Sequence, residues 1–270
     1  MIAQLSHAVP EPVWRTAGAW RRARWPYCIV AFHRISDDGK DLAYPPAAFA
    51  ALCGYWRDHY EVLPLERLLA RLTHGDALRH PSVCITFDDG YADNAEVAAE
   101  ILDRLDLSAT FFITSGAIGE PNRFPWDQHL APPPRLMRWE QVHALRAAGF
   151  GIGSHTVTHP RLSELRQTEL VEQLTASRAH LEKELGEPVL DFAYPFGRLG
   201  DCDAAARAAV HAAGYRCCLA CHGGLVSAHD SPYQLNRIPV SPRWHATPRA
   251  WARAYAKQLF ASKRGSVETL

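Results

Sequence analysis

No stretch of the chain is apolar for the roughly 18 residues that a membrane-crossing helix needs. The N-terminus, "MIAQLSHAVPEPVWRTAGAWRRARWPY", also lacks the continuous apolar core of a secretory signal. The expectation is a soluble, unexported, cytoplasmic protein. An excess of one charge is missing too: 29 basic residues stand against 29 acidic ones, so no overall field argues for nucleic acid as a partner. Nor is there an even set of cysteines from which to build a disulfide framework. The 7 cysteines sit singly at Cys28, Cys53, Cys84 and Cys202, with a cluster at Cys217, Cys218 and Cys221, a usage that fits a reducing compartment. There is no internal repeat.

The cluster contains "CLACH", Cys218 to His222, which has the C-x-x-C-H spacing of covalent haem attachment. The plainer reading is a buried strand, "YRCCLA", running into its mouth, with the cysteines acting as small hydrophobes.

What the chain does contain is alternation. Short apolar segments rich in β-branched and aromatic residues occur at 27–33, 60–65, 82–87, 108–114, 150–155, 189–195, 215–220 and 234–240. Between them, helical periodicity marks 46–58, 65–73, 92–105, 138–148, 163–185, 203–213 and 247–261. One helix is expected to stop at Gly149, in "AAGFGIGSH". Such β/α alternation predicts a parallel sheet, either a barrel or a doubly wound open sheet. With 270 residues, one catalytic domain over 27–245 is expected, preceded by a basic, aromatic extension at 1–26 and followed by a helix and tail at 246–270. The Pro- and Gly-rich stretch from Ser115 to Arg138 reads as a long surface loop. Trp126 within it is either a sugar-stacking face of a substrate wall or a packed side chain.

Ligands of parallel α/β folds gather at the C-terminal ends of strands, and three strand ends here are unusual. "ITFDDGY" sets Asp88 and Asp89 side by side, "GSHTVTHP" carries His155 and His159, and "FAYPFG" ends in aromatics and Pro195. Each motif alone is weak. Together they describe two imidazoles and a carboxylate around a divalent ion, a three-ligand set that leaves an open position for chemistry. The second carboxylate would then take a proton from water.

These motifs, in this order, resemble the polysaccharide deacetylase family, also called the NodB-homology or carbohydrate esterase family 4 domain. The resemblance runs from about Tyr27 to Val240 and includes "ATFFI" and "GFGIGSHTVTHPRLSEL". It implies a distorted (β/α) barrel of about seven strands, a divalent metal with Zn²⁺ the first candidate, and removal of acetyl groups from an N-acetylated carbohydrate. By the same resemblance Asp88 matches the catalytic base, and Asp89, His155 and His159 match the metal ligands. Pro195 and Phe196, with Tyr194 before them, match the groove wall, and the Phe196 N–H matches the donor that faces the oxyanion.

Two features depart from the family pattern. Where an arginine commonly stands two residues before the proline, this chain has Ala193, and Arg237 in "NRIPV" is the replacement candidate for holding Asp88 ionised. A late Leu-x-His motif is missing, whereas an early strand ends "IVAFHRI", as in the permuted exopolysaccharide-deacetylase branch. His33 is therefore the candidate general acid and His222 the fallback. A silent glycan-binding module and a zinc amidase acting on a small non-sugar amide remain the alternatives. Finally, "WRTAGAWRRARWPY" and "RAWARAYAKQLFASKR" interleave aromatics with cations. Such segments either pack on the barrel or lie at the inner face of a membrane, in which case the substrate is expected to be lipid-linked. The sequence does not set the oligomeric state.

Overall fold

The computed structural model describes residues 25–40, 42–76 and 78–264. In chain order its elements are β1 (Ile29–Phe32), β2 (Arg34–Ile35), β3 (Ala43–Tyr44), α1 (Pro46–His59), β4 (Glu61–Val62), α2 (Leu65–His74), β5 (Ser82–Phe87), α3 (Ala99–Arg104), β6 (Ala109–Ile113), α4 (Trp139–Ala147), β7 (Gly151–Ser154), α5 (Gln167–Leu185), β8 (Asp191–Ala193), α6 (Ala204–Ala212), β9 (Cys217–Leu219), β10 (Ile238–Pro239), α7 (Pro242–His245) and α8 (Pro248–Arg264). Seven strands pair in the order β10-β1-β5-β6-β7-β8-β9, all parallel, and β4 adds to the start of β5. The sheet curls: Leu235 bridges Leu219 of β9, and three residues later Ile238 pairs with Val30 of β1. One short segment thus reaches both ends of the strand path, and the architecture is a distorted (β/α) barrel.

Every residue of β5 and β6 is buried, as expected for parallel strands covered on both faces. Alternation along the strands decides which side each residue serves. Phe32, Phe87 and Phe111 form a stacked row across β1, β5 and β6, with ring centroids 5.5 and 4.8 Å apart, and Phe32 also meets Phe49 and Trp56 of α1. This is the outer, helix-covered face. Thr86 and Phe112, one residue away, therefore face the inside of the curl.

Room inside is tight. A Cβ on Gly153 of β7 would stand 2.4 Å from Phe112 Cε1 and 3.1 Å from the Asp191 carbonyl. Gly153→Ala is expected to cost about 1–3 kcal/mol through overpacking, measured as a lowered urea midpoint.

Several expected elements differ in detail. The 234–240 strand is only two residues long in β10, because the chain leaves β9 to join β1 within it. The helix expected over 92–105 begins as a π-helical turn, Asn94–Ala98, before α3. The helix expected from 163 starts at Gln167, after a 3₁₀ turn at Leu162–Glu164. The β2–β3 pair was not anticipated, since two-residue strands leave no periodicity to read. "YRCCLA" is a buried strand: Cys217 and Cys218 are fully covered, and the Cys218 thiol meets the Tyr194 hydroxyl at 3.1 Å. Residues 1–24 of the expected N-terminal extension lie outside the described residues. No helix among the described residues is long and apolar enough to cross a membrane.

Candidate active site

Asp88 lies one residue past β5 and His33 one residue past β1, and these two strands run in register at Phe32 and Phe87. The Asp88 N–H donates to the Phe32 carbonyl at 2.9 Å, extending the pairing by a step. Continuing the strand's alternation, Asp88 points inward with Thr86. Asp89 would then point away from its neighbour, but the chain turns. Asp89 has φ +74°, and the Gly90 N–H closes a three-residue turn onto the Asp88 carbonyl at 3.0 Å. Gly90 itself has φ +90°, a conformation that needs no Cβ. The strained turn brings both carboxylates to one site.

The same device recurs. Phe196 has φ +60°, with the Gly197 N–H donating to the Pro195 carbonyl at 2.6 Å, and His159 has φ +61°, its N–H held by Thr156 Oγ1 at 2.9 Å. Each non-glycine residue in this region costs on the order of 1–3 kcal/mol, and such residues gather where surrounding structure enforces them for a purpose.

Asp89, His155 and His159 are all buried, and their ligand atoms lie within 4.8 Å of one another. Asp89 Oδ1 is 3.5 Å from His155 Nε2 and 3.2 Å from His159 Nε2. His155 Nδ1 is 2.8 Å from the Ala193 carbonyl. A carbonyl only accepts, so Nδ1 carries the proton and the Nε2 lone pair faces Asp89. Asp89 Oδ1 is buried yet makes no hydrogen bond among the described residues. A buried carboxylate oxygen without a donor, facing two imidazole nitrogens, is the donor set of a divalent cation, so these residues fit one. Burial pushes the Asp89 carboxyl up, and positive charge on the two imidazoles, whenever they carry it, more than reverses this.

Asp88 is held differently. Arg237, wholly buried, forks onto it with Nη1–Oδ1 and Nη2–Oδ2 both at 2.7 Å. The guanidinium is itself aimed, with Nη1 also donating to Thr86 Oγ1 at 3.1 Å, Nε donating to the Ala220 carbonyl at 3.1 Å, and the Phe112 ring 5.6 Å away. Burial favours the neutral acid, but the Arg237 charge outweighs it and holds the Asp88 carboxyl below the ordinary carboxylate range. A proton on His33 would act in the same direction on both Asp88 and Asp89. Cys221, at the end of β9, shares this mouth, but burial pushes its thiol up to about 11 and it stays protonated. His222 follows it, partly buried, with Nε2 unpartnered among the described residues.

On the other side of His159 lies a cavity of about 930 Å³, lined by Phe124, Trp126, Val157, His159 and Phe196 among others. Trp126 stacks on Phe124 at 4.8 Å and stands edge-on to His159 at 4.7 Å and to Phe196 at 5.8 Å. Its indole N–H donates to Tyr91 Oη at 2.9 Å, and that hydroxyl donates to the buried Asp127 at 2.7 Å. Trp126 is thus both packed and part of the cavity wall. Phe196, 37 % exposed, is gripped from outside by Arg161, whose guanidinium sits 4.0 Å from the ring centroid and pairs with Asp201 at 2.6 Å. Tyr194, expected beside Phe196 on the groove, is instead core: it is 1 % exposed and packs on Phe192, so it offers no face to a substrate. Pro195 is buried as well. Strand alternation past β8 turns Tyr194 outward, and only the positive-φ turn at Phe196 reaches the mouth.

Tyr91, Asp127 and Arg161 were not singled out in the sequence. The signals were their neighbours, since each lies within two residues of a named site residue: "DDGY", "WD" and "HPR".

The family model for polysaccharide deacetylases matches residues 75–218. The chain belongs to this family. As a member it is a carbohydrate deacetylase, a hydrolase of acetyl groups on glycans. YxkH of Bacillus subtilis (strain 168), which carries a polysaccharide deacetylase name, is 27 % identical over 215 residues, covering 79 % of this chain and 71 % of its own. The IcaB structure from Ammonifex degensii superposes with a TM-score of 0.73 at 20 % identity, covering 86 % of this chain and 100 % of that one. The Streptococcus pyogenes deacetylase PplD, determined with acetate, gives 0.71 at 22 %, covering 84 % and 97 %. At these identities the two structures establish the shared fold. Within the deacetylase, the family match holds Asp88, Asp89, His155 and His159, whereas His33 and Arg237 lie outside it, before and after. The curled sheet brings those two ends together, as β1 and β10 are neighbours.

Proposed function

We propose that this deacetylase is metal-dependent and releases acetate from an N-acetylated sugar, with Asp88 as base and Asp89, His155 and His159 as metal ligands. The observation that carries the reading is the division between two adjacent carboxylates, one bare oxygen facing two imidazoles and one carboxylate clamped by Arg237. When bound, a divalent ion, with Zn²⁺ the first candidate, would polarise the acetyl carbonyl and acidify a nearby water. Asp88, kept ionised by Arg237, accepts the proton of that water as its oxygen attacks the carbonyl carbon. The Phe196 N–H donates to the oxyanion that forms. His33 protonates the amine nitrogen, the C–N bond breaks, and acetate and a free amino sugar leave. Trp126 and Phe196 give the sugar apolar faces beside the reacting group.

Ala193 in place of the family's arginine is the one feature that suits a silent binding module. Arg237 supports the enzymatic reading instead, since it supplies a bidentate guanidinium from the neighbouring side of the barrel. The test is an acetate-release screen of zinc-loaded protein over N-acetylated mono-, oligo- and lipid-linked sugars, beside non-sugar amides. Release from at least one sugar class, lost on chelation and restored by Zn²⁺, is expected. Glycan binding without acetate, or faster turnover of non-sugar amides, would refute the reading.

A further inference from the structure

The C-terminal part of the described chain departs from the even charge of the whole. No Asp or Glu occurs between Asp230 and Glu268, while Arg and Lys recur throughout that interval. α8 sorts them by face. Arg249, Arg253 and Lys257 are exposed and four residues apart, and Phe260, 58 % exposed, continues their stripe. The opposite face is buried: Trp251 meets Trp56 of α1, and Tyr255 meets Tyr60. Just before α8, α7 presents Trp244, 61 % exposed, with the Arg243 guanidinium 5.0 Å from its ring centroid. None of Arg243, Arg249, Arg253 and Lys257 has an ion-pair partner among the described residues. On α1, which packs against α8, Arg57 and Asp58 pair with each other at 2.9 Å.

We propose that α7 and α8 form a docking face for an anionic membrane surface, to which the protein binds peripherally. Cations in a row attract anionic headgroups, and a Trp and a Phe at the two ends supply the amphipathic and apolar groups that settle at the headgroup boundary. Those aromatics favour a bilayer over a nucleic acid or other soluble polyanion, which would need only the charges. A second copy of the face would repel it. The chain's own N-terminal segment is no complement either, since it carries Arg15, Arg21, Arg22 and Arg24. The placement has a functional sense. α7 follows directly from the C-terminal end of β10, which pairs beside β1, so the face begins at the same end of the barrel as His33. A glycan attached to a lipid in that membrane would be presented to the mouth.

The experiment is co-sedimentation of the full chain with vesicles of phosphatidylcholine alone or with a third phosphatidylglycerol, at low and high salt. Binding to the anionic vesicles at low salt alone is expected. The triple variant Arg249→Glu, Arg253→Glu, Lys257→Glu should bind on the order of 100-fold more weakly, at roughly five-fold per removed cation. Trp244→Ser should weaken binding by about ten-fold and leave its salt dependence unchanged. Acetate release from a soluble substrate should be the same in all of them, so docking and chemistry fail separately. Absence of vesicle binding, equal binding to neutral vesicles, variants that bind like the parent, or a preference for dextran sulfate over vesicles would each overturn the proposal.

Discussion

Asp88→Asn is expected to lower acetate release by about 10²–10⁴-fold while leaving one divalent ion bound per chain. Asp89→Asn is expected to abolish activity for a different reason, with metal content falling to background. Both changes remove one charge and keep the side chain's shape, so their contrast isolates role from size. Asparagine at 88 cannot take a proton from water, yet the donor set facing the imidazoles is untouched. Asparagine at 89 presents a neutral amide where the buried Oδ1 faces His155 and His159 at 3.5 and 3.2 Å. The checking measurements are metal content by elemental analysis and initial rates at saturating Zn²⁺. Metal lost from the Asp88 variant, or retained in full by the Asp89 variant, would reverse the two assignments.

Arg237→Met carries the second large effect, in stability as well as rate. Arg237 is wholly buried and makes two 2.7 Å bonds to Asp88. Removing one member of a buried pair strands the other charge, at a cost of about 3–5 kcal/mol. The sign follows from linkage. With Arg237 present the folded-state pKa of Asp88 is depressed, so the pair's stabilisation is present above the ordinary carboxylate pKa of about 3.9 and is lost as pH falls through the lower folded value. Without Arg237 the main group opposing burial is gone and that pKa rises, so the variant should be least stable, relative to the parent, at neutral pH. Urea denaturation at pH 7 is the check, with Arg237→Met/Asp88→Asn recovering most of the loss because no stranded charge remains. A single variant as stable as the parent would show that the pair contributes nothing.

Part of this protein was legible in its residues. Largely apolar runs such as "SVCITF" and "ATFFI", bounded by helical periodicity, specify parallel strands covered on both sides, and the barrel follows from their repetition. Chemically distinctive types at strand ends, Asp-Asp-Gly and His-x-x-x-His, are readable because the ends of parallel strands converge whatever the loops do. Tyr194 shows the limit. The three aromatics two residues apart in "FAYPF" look alike in sequence, yet Phe192 and Tyr194 are buried and a positive-φ turn alone brings Phe196 to the surface.

What the sequence determined by itself, then, is which local segments form and which reactive groups stand at their ends, since these depend on periodicity and residue chemistry within a few positions. The meeting of Arg237 with Asp88, 149 residues apart, was decided by the curl of the sheet that sets β10 beside β1. So was the direction of Asp89, because a strand's alternation would aim it away from Asp88 and only a turn held by its neighbours aims it back. Long-range closure and strained backbone depend on the whole fold holding them in place, and no short stretch of residues encodes that.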